Sequence, residues 1–226
     1  MTRRPTDILM LTMAVVMFAA ASPALQAAER SAAKTAGETY GEQLGTVRLP
    51  ASCGEAADRH LERGLALLHH MTYEGARASF EAATESDPEC ALGYWGRAMT
   101  RIHPLWSDPP TEEAFEEGRE LAGKAKALSG EDERMAAYAA AVAAYYAPGQ
   151  GRTEAPNLAR FEAGWERAHR RFPEDPEAAC FYALAHLGTA DPADKTYTHQ
   201  KRAGAITEQV LSRISDHPGA HHYTIH

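Results

Sequence analysis

The fold is decided by residues 57–88, which read ADRHLERGLALLHHMTYEGARASFEAATESDP. Small side chains at Gly64 and Ala76 would let two helices approach each other closely, and the Phe80 ring would fill the seam toward the helix that follows. Pro88 would end the second helix, because a proline cannot continue one. The stretch therefore predicts two antiparallel helices that pack against a neighbouring pair.

The spacing of these residues resembles the tetratricopeptide repeat family. The resemblance is carried by Gly64, Leu67, Ala76, Phe80, Ala83 and Pro88, counted from Ala57. It continues less regularly to residue 226, and it implies an all-α solenoid of antiparallel helix pairs that acts by binding. Because a solenoid does not normally stop within a helix, we expect the protein to be truncated at its C-terminus.

Further helical segments follow the first pair. We expect helices over residues 91–102, 112–128, 131–146, 160–171, 178–190, 197–214 and 220–226. Thr111 is the expected N-cap of the second of these, and the proline- and glycine-rich residues 147–156 are expected to form a loop.

The N-terminal residues 1–28 have the three-part layout of a secretory signal. Arg3 and Arg4 precede an apolar run over residues 8–21, and small residues follow it, with cleavage expected near Ala27 or Ala28. The alternative is a membrane anchor, although the run is shorter than the roughly 20 residues that a span needs. We expect residues 29–52 to be a flexible lead-in, residues 53–226 to be the helical domain, and the mature protein to be periplasmic or secreted.

The charge balance limits the class of partner. The chain has 23 basic and 31 acidic side chains, a net charge of −8, and removal of Arg3, Arg4 and Asp7 with the signal would leave −9. An acidic chain without basic runs argues against nucleic acid as a partner. No second stretch is apolar enough to predict a membrane span in the mature chain.

The three cysteines are interpreted in the light of export. Cys53 precedes the first helix and Cys90 precedes the third. The N-terminal ends of these two helices should lie side by side, so we predict a disulfide between the cysteines. Two buried thiols are the alternative. Cys180 lies in an apolar run and is expected to be a buried small side chain.

The family resemblance also implies a concave groove that holds a peptide segment. Transferred by motif offset, its lining would be Leu61, Leu65, Leu68, His69, Trp95, Met99, Ile102 and His103, followed by Cys180, Leu184, Leu187 and His222. Chaperone-binding members place Lys, Asn and Arg there to hold a carboxylate. This chain has apolar residues at those places, so we do not expect such a clamp. The alternative for these side chains is that they form the core.

Histidine offers a second hypothesis. Of eleven histidines, four lie near the end of the sequence, and His222 and His226 would share a helix face. By offset, His222 should neighbour Cys180, and imidazole with thiolate suits zinc or copper. The alternative is a buried histidine cluster satisfied by hydrogen bonds.

No catalytic motif stands out. The chain has no glycine-rich phosphate loop and no Gly-x-Ser-x-Gly elbow, and its carboxylates are spread along helix faces. We therefore expect an exported interaction scaffold that binds a peptide or protein within an envelope assembly, without enzymatic activity and without a required cofactor. The alternative is a periplasmic metal-binding protein that uses Cys180, His222 and His226.

Overall fold

All regular secondary structure in the described part of the chain is helical, as the sequence predicts. The computed structural model describes residues 43–106, 108–147 and 154–226. The helices are α1 Glu55–His69, α2 Tyr73–Ser86, α3 Ala91–Met99, α4 Glu112–Leu128, α5 Glu133–Tyr145, α6 Glu154–Arg171, α7 Pro176–Gly188, α8 Thr198–Leu211 and α9 Pro218–Thr224. The predicted signal segment and residues 29–42 of the lead-in lie outside the described residues.

Consecutive helices pack in pairs, α1 with α2, α3 with α4, α5 with α6 and α7 with α8. The first helices of neighbouring pairs also meet, since α1 contacts α3 and α3 contacts α5. The last helix, α9, packs against α7 and α8 and also against α1. Helices from the two ends of the described chain are therefore in direct contact.

The Phe80 ring joins the first pair to the second. A Cβ atom added at Gly64 of α1 would lie 3.0 Å from the Phe80 ring, and one added at Gly96 of α3 would lie 2.3 Å from it. The ring therefore occupies a slot that only glycines on both flanking helices leave open. Residue Asp87 is extended before Pro88, so α2 ends where the sequence predicts.

Side-chain caps fix several helix starts. Thr111 Oγ1 accepts a hydrogen bond from the Ala114 N–H, which confirms the predicted cap of α4. Asp132 and Asp175 cap α5 and α7 in the same way, and His217 Nδ1 caps α9. The caps set which residues of α7 and α9 point inward from their first turns.

Some predicted helix boundaries are wrong. Helix α6 begins at Glu154, well before the expected residue 160, and it includes Pro156. A proline in the first helical turn costs little, because the N–H that it lacks would have no acceptor within the helix. For the same reason α7 and α9 begin at Pro176 and Pro218, two residues earlier than expected.

The predicted disulfide is present. Cys53 and Cys90 are bonded, with their Cα atoms 5.3 Å apart, and they connect the segment before α1 to the residue that caps α3. Cys180 is a free thiol and is fully buried, as expected. The bridge therefore joins the beginnings of the first and second helix pairs.

An aromatic core fills the space between the pairs. Trp95 lies 5.6 Å from Tyr138 and 5.5 Å from Phe181, measured between ring centroids, and Trp165 lies 4.9 Å from Phe181. All four rings are buried. They bring α3, α5, α6 and α7 onto one core. None of the described helices is long and apolar enough to span a bilayer.

Candidate functional site

The residues predicted to line an open groove lie in the core instead. The buried ones are Leu61, Leu65, Leu68, His69, Trp95, Met99, Ile102, Cys180, Leu184 and Leu187. His103 is partly buried and stacks on Tyr73, with ring centroids 4.0 Å apart. The prediction of an open groove is wrong for two reasons. Helix α9 packs against α1, and the aromatic core occupies the space that an open concave surface would need.

Four buried polar side chains meet where the two ends of the described chain touch, and we call them the inner cluster: His69, Glu177, His217 and Tyr223. The His69 Nε2 lies 2.6 Å from Glu177 Oε2, and the His217 Nε2 lies 3.2 Å from Glu177 Oε1. The backbone N–H of Arg48 also donates to Oε1, at 2.6 Å. The carboxylate therefore receives hydrogen bonds from three separate parts of the chain.

Close packing brings the inner cluster together. His69 is the last residue of α1, and its ring lies against the backbone at Gly219, where an added Cβ atom would stand 2.3 Å from Nδ1. The same Nδ1 lies 3.0 Å from the Tyr223 hydroxyl. A side chain at position 219 would therefore separate α9 from α1.

Burial and hydrogen bonding have opposite effects on Glu177. Burial alone would raise the pKa of its carboxyl, but the neighbouring His69 and the hydrogen bonds from His217 and His69 outweigh burial and lower the pKa to about 2. Burial lowers the pKa of His69, although Glu177 opposes this. At neutral pH the Glu177 carboxyl is therefore ionised and the His69 ring is neutral.

The inner cluster is also the one group within the described residues whose donor atoms lie close enough together to hold a metal ion, through His69, Glu177 and His217. The hydrogen bonding of His217 argues against that role. Its Nδ1 accepts the Ala220 N–H at 3.2 Å, so in the neutral ring Nε2 carries the proton and donates to Glu177. A metal would need the lone pair of that Nε2.

The predicted metal ligands Cys180, His222 and His226 are not brought together. Cys180 Sγ lies 3.7 Å from His217 Nδ1, so its histidine neighbour is the cap of α9. His222 Nδ1 donates instead to the backbone carbonyl of His69, at 2.8 Å. The prediction paired Cys180 with His222 because they hold equivalent positions in α7 and α9, whereas the structure places the cap His217, just before α9, beside Cys180.

A surface pocket lies beside the inner cluster, and we call it the arginine pocket. Its volume is about 620 Å³, and its lining is Arg48, Arg134, Arg171, Phe172, Pro173, Glu174, Asp175, Pro176, Arg213 and Ile214. The lining combines the apolar residues Phe172, Pro173, Pro176 and Ile214 with four arginines. The volume falls within the range of about 300–1,000 Å³ that is usual for ligand sites.

The arginines of this pocket differ in how they are paired. Arg134 contacts Asp175 at 2.5 Å, and that carboxylate is 4% exposed and also accepts the Tyr138 hydroxyl. Arg213 pairs with Glu174, which is 87% exposed. Arg171 pairs with Glu133, which is 70% exposed.

The fourth arginine, Arg48, connects the pocket to the inner cluster. Its backbone N–H binds Glu177, while its exposed side chain lines the pocket and makes no ion pair with another described residue. The neighbouring Thr46 binds Asp216 through both its backbone and its hydroxyl. The segment before α1 is therefore attached to α7 and to the turn before α9.

Sequence reasoning missed Glu177, His217 and all four pocket arginines. A sequence signal exists for the first two, because both belong to a helix start in which a capping residue precedes a proline. Glu177 follows Asp175-Pro176, and His217 is itself the cap before Pro218. The arginines have no common spacing that would have indicated a site. Searches against family models, curated proteins and solved structures gave no match to this chain.

Proposed function

We propose that this protein is an exported, non-enzymatic interaction module of tetratricopeptide-like helix pairs that binds a segment of another protein in the arginine pocket. The pairwise packing of α1 to α8 and the glycine slot around Phe80 support the repeat architecture. The pocket is the observation that carries the proposal, because its lining combines apolar and charged residues.

The buried groove side chains favour the pocket as the binding surface. Residues such as Trp95 and Leu65 would have to leave the core before a ligand reached them, whereas the pocket is open at the surface. The pocket is built from the segment before α1, the first turn of α5, the end of α6 with the turn before α7, and the turn between α8 and α9. We therefore propose that the ligand contacts the turn end of the helix pairs.

The described chemistry supports binding over catalysis. The free thiol of Cys180 is buried, and burial raises the pKa of that thiol well above its usual value. A thiol that stays protonated is a poor nucleophile. The inner cluster is also buried, so its carboxylate and imidazoles have no open path to a substrate.

Periplasmic metal binding is the second candidate function, and the grouping of His69, Glu177 and His217 is the observation in its favour. Elemental analysis of protein purified without a histidine tag tests it. Our proposal predicts less than stoichiometric zinc or copper. One metal ion per chain, lost in Glu177→Gln but kept in the matched surface variant Glu174→Gln, would favour metal binding instead.

Site-specific photo-crosslinking tests the main proposal. A photoreactive p-benzoylphenylalanine replaces Phe172 in the lining of the pocket, and a control variant carries it at Arg59, an exposed position on α1. In the cells that produce the protein, we expect a protein adduct from position 172 and none from position 59. The absence of a protein adduct at position 172 would refute the proposed binding surface.

A further inference from the structure

We infer that the occupant of the arginine pocket is an acidic peptide segment in which carboxylate side chains flank an apolar one. The inference rests on the proposed function and adds the chemical class of the ligand. The lining holds four arginines and two carboxylates, and a third carboxylate, Glu133, pairs with Arg171, which leaves one positive charge in excess on a chain whose net charge is −8. A local field of the opposite sign to that of the whole chain favours an anionic partner.

The pairing of the arginines indicates which of them bind the segment. Arg134 is held by the buried Asp175, so its guanidinium has a fixed partner and positions the wall of the pocket. Arg213 and Arg171 are paired with carboxylates that are largely exposed to water. Exposed pairs contribute little to stability, so these guanidiniums can exchange an internal carboxylate for one from a ligand.

Arg48 completes the set of binding groups. Its side chain makes no ion pair with another described residue, while its backbone is anchored to Glu177 in the interior. Anchoring of the backbone reduces the entropy that is lost when the guanidinium binds a ligand. Arg48, Arg171 and Arg213 are therefore the three groups that would hold carboxylates, in the paired geometry that guanidinium and carboxylate share.

The apolar part of the lining favours an organic ligand over a free inorganic anion. Phe172, Pro173, Pro176 and Ile214 contribute apolar surface to the same pocket as the arginines. A small, fully hydrated anion would leave that surface uncovered. An apolar side chain between two acidic ones would cover that apolar surface and leave its acidic neighbours to pair with the arginines.

Fluorescence polarisation with defined peptides tests the inference. The probe is a fluorescein-labelled peptide with an amidated C-terminus and the core Glu-Phe-Glu, and the controls replace both Glu by Gln or by Lys. We expect the Gln peptide to bind about tenfold more weakly and the Lys peptide not to bind. Charge contacts at exposed sites contribute about two- to fivefold each, so two of them give this ratio.

Protein variants assign the effect to the pocket. The double variant Arg48→Gln, Arg213→Gln should weaken binding of the Glu peptide about tenfold, and Arg59→Gln, which removes an exposed arginine of α1, should leave it unchanged. Equal binding of the Glu and Gln peptides, or no effect of the double variant, would overturn the inference. Displacement of the peptide by an equal concentration of inorganic phosphate would overturn it in favour of a small-anion site.

The outcomes separate this inference from the proposed function. If position 172 gives a protein adduct but the Glu peptide shows no advantage, the acidic class is wrong and the interaction surface stands. If position 172 gives no protein adduct, the proposed function fails whatever the peptides do.

Discussion

The inner cluster and the arginine pocket use the same kinds of charged groups under opposite conditions. In the inner cluster Glu177 is fully buried and all its partners are internal, whereas in the pocket Glu174 is 87% exposed. A buried charge is costly unless every partner is present, while an exposed pair exchanges with water and ligands. The comparison indicates that the cluster stabilises the fold and that the pocket is available for binding.

Removal of the Glu177 carboxylate should have the largest effect. In Glu177→Ala, the N–H groups of His69 and His217 and the backbone N–H of Arg48 lose their shared acceptor in the interior. We expect a loss of about 3 to 5 kcal/mol in the free energy of unfolding. Denaturant titration followed by circular dichroism measures it. Glu174→Ala is the surface control, and a loss below about 1 kcal/mol in Glu177→Ala would refute the structural role of the cluster.

Acid should destabilise the protein through the same cluster. His69 has a pKa lowered from 6.5, so the folded state disfavours its protonation and stability falls as the pH drops below about 6.5. Glu177 has a pKa lowered from 4.5 to about 2, so a further loss follows as the pH falls from 4.5 toward 2. Both changes have the same sign, and maximal stability is expected above pH 6.5.

Thermal melts between pH 8 and pH 3 measure this dependence. The variant His221→Gln, at an exposed histidine of α9, should keep the profile of the natural chain. A melting midpoint that stays constant from pH 7.5 to pH 5 would contradict the assignment to His69.

The sequence predictions succeed where the contacts join residues that are near in the sequence, and they fail where the contacts join distant ones. Gly64, Phe80 and Pro88 predict the first helix pair because the partners of Phe80, Gly64 and Gly96, lie near it in the sequence. The contact of His69 with Tyr223 joins residues 154 positions apart, and no local periodicity contains it. For that reason the sequence predicted an open groove where the structure has a closed core.

The arginine pocket could not be predicted from local sequence patterns, because its arginines come from distant parts of the chain. The pocket takes Arg48 from the segment before α1, Arg134 from α5, Arg171 from α6 and Arg213 from the turn after α8. Each of these arginines alone has the features of an ordinary surface charge. The disulfide could be predicted, in contrast, because the stacking of first helices places Cys53 and Cys90 together whatever the later helices do.

Arg134 should have an intermediate effect, because it belongs to the pocket but pairs with a buried group. In Arg134→Met the apolar stem is kept, while Asp175 loses its guanidinium and keeps the Tyr138 hydroxyl and the N–H groups of α7. We expect a loss of about 1 to 3 kcal/mol in unfolding free energy. Denaturant titration checks this, and an effect as small as that of Arg213→Gln would place Arg134 with the exchangeable arginines.

The smallest effect on stability is expected at Arg213. Its partner Glu174 is largely exposed, so Arg213→Gln should change the free energy of unfolding by no more than about 0.5 kcal/mol. The same substitution should weaken the binding of the Glu-Phe-Glu peptide by about two- to fivefold, because a carboxylate of the ligand loses its guanidinium. This single substitution would then weaken peptide binding without an equivalent loss of stability. A loss of stability comparable to that of Arg134→Met would instead make Arg213 part of the fold and would remove the distinction between the two regions.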